Sequence, residues 1–310
     1  MTDELHFEKT QPMHRYLTAP LAHIGEWTRY FTNAEIPVFA STVRELAALN
    51  EIEDDVDANM LTPVIQADPL MSLKLMRWVA SLRKSGDRTD TESITSSLVF
   101  VGIGPFFRAF RAQYSVEDWL SDQPRALQGL QFLLHRSERA GQFALAFALH
   151  RGDMDATIIH HAAFLHDFVE MLLWIHAPTL AVAIHDAQAA DPTLRTSAIQ
   201  REVLGIEAID LRQALMQLWH LPQLLVQMSD DRHADRPNVQ CVVLAERVAR
   251  HSSHGWDNPA LPDDYDEVAA LLNASPRVVP SFLRKIDHPI LEATKVRGLM
   301  TLDEEDGCRM

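Results

Sequence analysis

Val64-Ile65-Gln66-Ala67-Asp68-Pro69-Leu70 contains the clearest helix start in the chain. The Asp68 carboxylate can accept from the free N–H groups of a first turn, and Pro69 has the fixed φ and missing donor that suit the first helical position. Leu70, Leu73, Leu75, Met76, Trp78 and Val79 then line one apolar side. A run with that spacing buries a stripe rather than a strand face.

The same period recurs outward from this helix. Upstream, Pro37 opens a new element, Thr42 with Glu45 forms a capping-box candidate, and Val43, Leu46, Ala47 and Leu49 follow as a stripe. Leu17, Leu21, Ile24 and Trp27 have the spacing of one stripe on an N-terminal arm or short helix. After an acidic turn at Glu51 to Asp57, a further helix carries Leu61, Val64 and Ile65. Downstream, a polar loop from Arg83 to Glu92 leads to a helix over Ser93 to Val101, which Gly102, Gly104 and Pro105 interrupt. A long pattern follows Pro124, through Leu127, Leu130, Leu133, Leu134, Phe143, Phe147 and Leu149. Gly152 suits its C-cap and Asp153 could cap the next helix, through Ile158, Ile159, Ala162 and Leu165. Ser197 with Gln200 reads as a second capping box, and Leu211, Leu215, Leu218 and Trp219 form another apolar face. A helix around Val239 to Ala249 precedes a region with Pro259, Pro262, Pro276, Pro280 and Pro289, where only short helices are expected. The tail from Asp303 to Met310 is polar and expected to fray. No β-branched run alternates with period two, so the expected fold is all-α, built of packed helical hairpins.

Composition narrows the function classes. At 310 residues the chain can bury a sizeable core. With 28 Lys+Arg against 43 Asp+Glu, the net charge is −15, which works against nucleic-acid binding unless a local basic patch exists. Eleven glycines argue against a Gly-rich phosphate loop. Two cysteines, Cys241 and Cys308, make neither a disulfide framework nor a Cys-rich zinc site and fit a reducing compartment. No segment reads as long and apolar enough to cross a membrane, and Met1 to Thr10 lacks an apolar signal core, so a cytoplasmic protein without membrane insertion is expected.

Four stretches, in order, resemble the HDOD domain, a bacterial signalling relative of the HD phosphohydrolases. They are Ile36-Pro37-Val38-Phe39 running into Val43 and Leu46; Val64 to Leu70 continuing to Met76; Ile94 to Gly102; and Ala163-Phe164-Leu165-His166-Asp167 followed by Leu172 and Leu173. Glu202, Gly205, Leu218-Trp219 and Leu221-Pro222 match the family's later Gly and Trp-x-x-Pro spacing. The resemblance implies a two-lobed helical bundle with an HD-like C-terminal lobe. The expected organisation is an arm over 1–32, an HDOD-like domain over 33–251 (N-terminal lobe about 33–120, HD-like lobe about 121–251), and short helices with a tail over 252–310. It also implies a regulatory role in bacterial signal transduction.

An HD phosphohydrolase needs imidazoles and carboxylates that converge on a divalent metal, which lowers the pKa of a water and clamps phosphate. The family set is an upstream His, the His-Asp pair and a distant Asp. Here the pair is His166-Asp167, but aligning Ser137 with the family's His-Ser dipeptide puts Arg136 at the upstream ligand position. His135 stands one residue away, about 100° around a helix. Glu246 replaces the distant Asp, Glu207-Ala208 stands where metal-rich relatives carry another His, and Phe168-Val169 replaces Ile-Gly. The resemblance therefore implies a vestigial pocket of His135, Arg136, His166, Asp167 and Glu246, with Arg136 as counter-ion to Asp167. No catalytic residue, metal or cofactor is expected.

Other clusters have bland readings that outweigh functional ones. His160-His161, His251 with His254 and Trp256, and Cys241 read as helix, loop and core residues. Arg77, Arg83, Lys84 and Arg88 around Trp78 read as a solvated helix end, against an anionic partner. Phe106, Phe107 and Phe110, with Arg108 and Arg111, read as core against a partner surface. The expectation is a non-catalytic signalling module that binds an unidentified signalling protein or small ligand, with homo-oligomerisation left open and no nucleic acid. The alternatives are a metal-dependent phosphohydrolase acting on nucleotides or cyclic dinucleotides, and a helical scaffold.

Overall fold

The computed structural model describes residues 16–82, 93–191 and 194–296, with side chains as far as residue 288. Arg83, Lys84, Arg88, Cys308 and the tail lie outside the described residues. The N-terminal half carries α1 Ile24–Asn33, α2 Ala40–Glu51, α3 Ala58–Gln66, α4 Pro69–Leu82, α5 Ile94–Val101, α6 Ile103–Phe110 and the short α7 Val116–Trp119. The remainder carries α8 Pro124–Arg151, α9 Ala156–Phe164, α10 Phe168–His176, α11 Pro178–Ala190, α12 Thr196–Leu204, α13 Ala208–Leu218, α14 Gln223–Met228, α15 Pro237–His251, α16 Leu261–Leu272 and α17 Val279–Val296. Among the described residues the only β-pairing is a single bridge between Val38 and Ser115. The fold is all-α.

Asp68 begins α4 as expected and does more besides. One carboxylate oxygen accepts from Leu70 N at 2.9 Å and Met71 N at 3.2 Å; the other accepts from Phe39 N at 2.9 Å and Thr42 Oγ1 at 2.8 Å. Thr42 is thus spent on Asp68 inside α2 and caps nothing, which corrects the capping-box reading; Phe39 holds the N-cap position. The true capping box is Ser93 with Ser96 at α5. Ser197 likewise lies within α12, whose N-cap is Arg195. Asp153 pairs with Arg151, and Asp155 precedes α9. Leu17 and Leu21 precede α1 and are not helical, although both pack on the core.

α8 runs 28 residues and is the central strut, with α9, α10, α11, α15, α16 and α17 packed on it. Gly152 ends it at φ 74°, the left-handed cap expected there. Gly129 lets α10 close in: a Cβ there would stand 2.6 Å from the Trp174 ring. Phe106, Phe107 and Phe110 are all buried, so the aromatic cluster is core. α1 packs on α13, which ties the start of the described chain to its second half. Trp219 Nε1 donates to Thr32 Oγ1 at 3.3 Å, and the Arg77 guanidinium lies over the Trp219 ring at 5.2 Å.

Two expectations fail here. The proline-rich end is not a set of short helices: α17 is 18 residues long. Pro280 falls in its first turn, where a missing donor costs nothing, and the helix continues through Pro289. And one stretch, Ala156–His176, is long and apolar enough to cross a membrane. It is instead two core helices that break at His166-Asp167, with 78% of its apolar window buried inside the fold.

Candidate functional site

His166 and Asp167 occupy the turn between α9 and α10. Phe164, Leu165, Phe168 and Val169 around them are buried, which draws the polar pair inside with the apolar chain. Around them converge Arg136 from α8, Glu170 from the first turn of α10, Arg212 from α13, Asp231 from a 3₁₀ turn over Asp231–His233, and Glu246 from α15.

The contacts form one charge network. Arg136 Nε donates to Asp167 Oδ2 at 3.1 Å, its Nη2 is paired with the same oxygen, and Nη2 also reaches Glu170 Oε2 at 3.2 Å. His166 Nδ1 meets Asp167 Oδ1 at 2.9 Å, while Nε2 meets Asp231 Oδ2 at 3.1 Å and Oδ1 at 3.2 Å. Arg212 Nη2 lies 2.9 Å from Asp231 Oδ1, and Arg212 Nη1 donates to the His166 carbonyl at 3.0 Å. Gln200 donates to Glu170 at 3.3 Å and accepts from Ala208 N at 2.9 Å, which anchors Glu170 to the start of α13.

Protonation follows from these neighbours. Burial and Arg212 work against an imidazolium at His166, but Asp231, Glu246 and Asp167 outweigh them and raise its pKa to about 9. Burial works against the Asp167 anion, yet Arg136 and His166 hold its pKa well below the usual carboxylate range. Asp231 is lowered too, with His166 and Arg212 overcoming burial. Glu246, buried and beside Asp167, is raised to about 7. An imidazole with a folded pKa above its unfolded value of 6.5 stabilises the fold fully below that value, and the contribution fades as pH rises through about 9. Urea unfolding at stepped pH is expected to show stability falling between about pH 7 and about pH 10, with His166→Gln flattening that slope. An unchanged slope in the variant would refute the assignment.

The structure brings four of the five sequence-predicted residues together and separates the fifth. One donor atom from each of His166, Asp167 and Glu246 lies within 4.8 Å of the others, and Arg136 sits on Asp167 as a counter-ion. Glu246 joins the pair as a third potential ligand, one more than a chain with only the His-Asp pair intact would offer. His135 belongs elsewhere: it is buried beside Arg139 and Asp287, and burial followed by the Arg139 charge lowers its pKa to about 4. Its offset of about 100° from Arg136 turns it to a different face of α8. Asp231, Arg212 and Glu170 were not found by sequence reasoning. Asp231 is 65 positions from His166 and carries no local signal. Arg212, a charge beside Leu211 on an apolar face, was the available clue.

The remaining candidates are ordinary. His161 is buried and its pKa is lowered by burial to about 3, so it stays neutral. His251 pairs with Asp264 at 2.6 Å. Cys241 is a buried thiol pushed up to about 12 by burial.

Comparison with known proteins places this arrangement. No curated protein matches the chain. Among solved structures, the MmoQ response regulator from Methylococcus capsulatus str. Bath aligns at 17% identity with a TM-score of 0.55, covering 77% of this chain and 98% of that one. A virulence factor from Campylobacter jejuni subsp. jejuni aligns at 17% identity and TM-score 0.55, covering 90% of this chain and 93% of that one. At such identities these matches speak to the fold alone. The family model of the HDOD domain matches residues 36–234, a span that includes Asp68-Pro69, the His166-Asp167 turn and Asp231 and makes up well over half of the sequence; the chain belongs to the HDOD domain family.

Proposed function

We propose that the chain is a non-catalytic regulatory module of bacterial signal transduction that binds a protein or a small ligand, with its HD pocket converted from metal binding to a closed ion-pair network. One observation carries this reading: Arg136 lies on Asp167, and both nitrogens of His166 face carboxylates. A ligating imidazole must offer a lone pair, and a guanidinium on a carboxylate competes with a metal for its charge. That arrangement works against a divalent cation, although His166, Asp167 and Glu246 each present one donor atom within 4.8 Å of the others. The structurally similar M. capsulatus protein is a response regulator, which agrees with a signalling setting. A cytoplasmic location and an unidentified signalling protein as partner belong to the same proposal.

The test is a Mn²⁺ titration of the full chain by calorimetry, run beside hydrolysis of bis(4-nitrophenyl) phosphate. The expected results are no stoichiometric binding and no turnover above a His166→Ala control. A metal-dependent phosphohydrolase is the second reading. It is favoured by the proximity of His166, Asp167 and Glu246 and by the buried Glu246 Oε1, which has no hydrogen-bond partner. One bound Mn²⁺ per chain, with hydrolysis that His166→Ala abolishes, would establish it and end the first.

A further inference from the structure

α17 is two-faced. Val279, Leu283 and Asp287 are buried, with Phe282 and Ile286 packed against the core beside them. Arg277, just before the helix, and Ser281, Arg284, Lys285 and His288 are exposed. Ser281 stands three and four positions before Arg284 and Lys285, and His288 four and three after them, which places these residues on one outer stripe with Arg277 at its start. They line a groove of roughly 580 Å³ with Pro280. No carboxylate is paired with Arg277, Arg284 or Lys285 among the described residues. Arg284 is also held in place: its guanidinium lies 5.7 Å from the centre of the Trp256 ring, whose surroundings include the buried Arg139 at 5.8 Å. A stacked guanidinium loses less freedom on binding and presents its donor fork ready made.

Arg277, Arg284 and Lys285, three cations with no paired carboxylate among the described residues, are a local reversal of sign in a chain of net charge −15. At physiological salt, charges are screened beyond about 8 Å, so a small ligand in the groove feels the stripe rather than the whole molecule. A long polyanion does not have that advantage. α16 packs on α17 and exposes Asp263 and Asp266, negative charges that disfavour a longer polyanion on this part of the surface. We infer that this stripe is a binding site for a soluble, phosphate-bearing small molecule of nucleotide size. Arg277, Arg284 and Lys285 provide charge-assisted donors and Ser281 a hydroxyl. The site is separate from the His166 network and does not depend on how that network is read.

The test uses the full chain at physiological salt, with ATP and adenosine as probes and Trp256 fluorescence and calorimetry as readouts. ATP is expected to bind saturably and adenosine not at all. Arg277→Glu/Lys285→Glu should weaken ATP by about tenfold or more, and Arg277→Gln/Lys285→Gln by less. Arg44→Glu/Arg195→Glu makes the same change in net charge at exposed positions elsewhere and should leave binding intact. Absence of saturable ATP binding would overturn the inference. So would equal weakening by both charge-reversal pairs, or full binding by the Arg277/Lys285 variants.

Discussion

Asp287→Ala is expected to lower the unfolding free energy by about 3–5 kcal/mol, because it strands a guanidinium in the interior. Arg139 is a charged residue on the core side of α8 and is 2% exposed. Its Nε donates to Asp287 Oδ1 at 2.6 Å and its Nη2 to Asp287 Oδ2 at 3.0 Å, the forked geometry in which Arg outperforms Lys. Nη1 donates to the Ala249 carbonyl at 3.1 Å and Nη2 to Ser252 Oγ at 2.7 Å, so α15 and its C-cap take two further donors and four of the five N–H groups have acceptors. Without Asp287 these neutral acceptors remain, but none of them compensates the charge. Replacing both partners by apolar residues, as in Arg139→Met/Asp287→Leu, is expected to recover most of the loss, since the pair itself is close to neutral against a hydrophobic isostere. Urea denaturation followed by circular dichroism reads both. A loss under about 1 kcal/mol in the single variant would show that water reaches Arg139.

Asp68→Ala is the second large effect, about 3–4 kcal/mol, by a different route. The substitution removes one acceptor group and orphans the N–H groups of Phe39, Leu70 and Met71 and the Thr42 hydroxyl together. Asp68 is 1% exposed, so solvent does not replace the lost partner. An ordinary surface cap costs about 1 kcal/mol, and the excess measures the tie from α4 to the start of α2. Asp68→Asn keeps one oxygen acceptor and should fall between wild type and alanine. If the alanine variant loses only what a surface cap does, the tie to Phe39 and Thr42 carries no weight.

How much of this was legible beforehand depended on range. Asp68-Pro69, Gly152 and the stripes of α4 and α8 act within a turn or two, and the sequence displays them directly. Thr42 misled because its hydroxyl has two uses, and the one chosen lies 26 positions away at Asp68. The proline-rich end misled because a proline in a first turn breaks no hydrogen bond. At the site, His166, Asp167, Arg136 and Glu246 came from ordered motifs. Asp231 and Arg212 did not, since only the packing of α13 and the turn after α14 brings them to His166. His135 was separable from Arg136 by helical geometry alone.

The Arg139–Asp287 pair spans 148 positions, and this sets a constraint on the order in which the chain can be finished. A nascent polypeptide emerges at about 5–20 residues per second, so the cation waits roughly 7–30 s before its anion leaves the ribosome. Until then the flank of α8 that receives α17 stays hydrated, and the contact closes only after its loop entropy has been met. Final consolidation of the helical core is therefore timed by the arrival of α17.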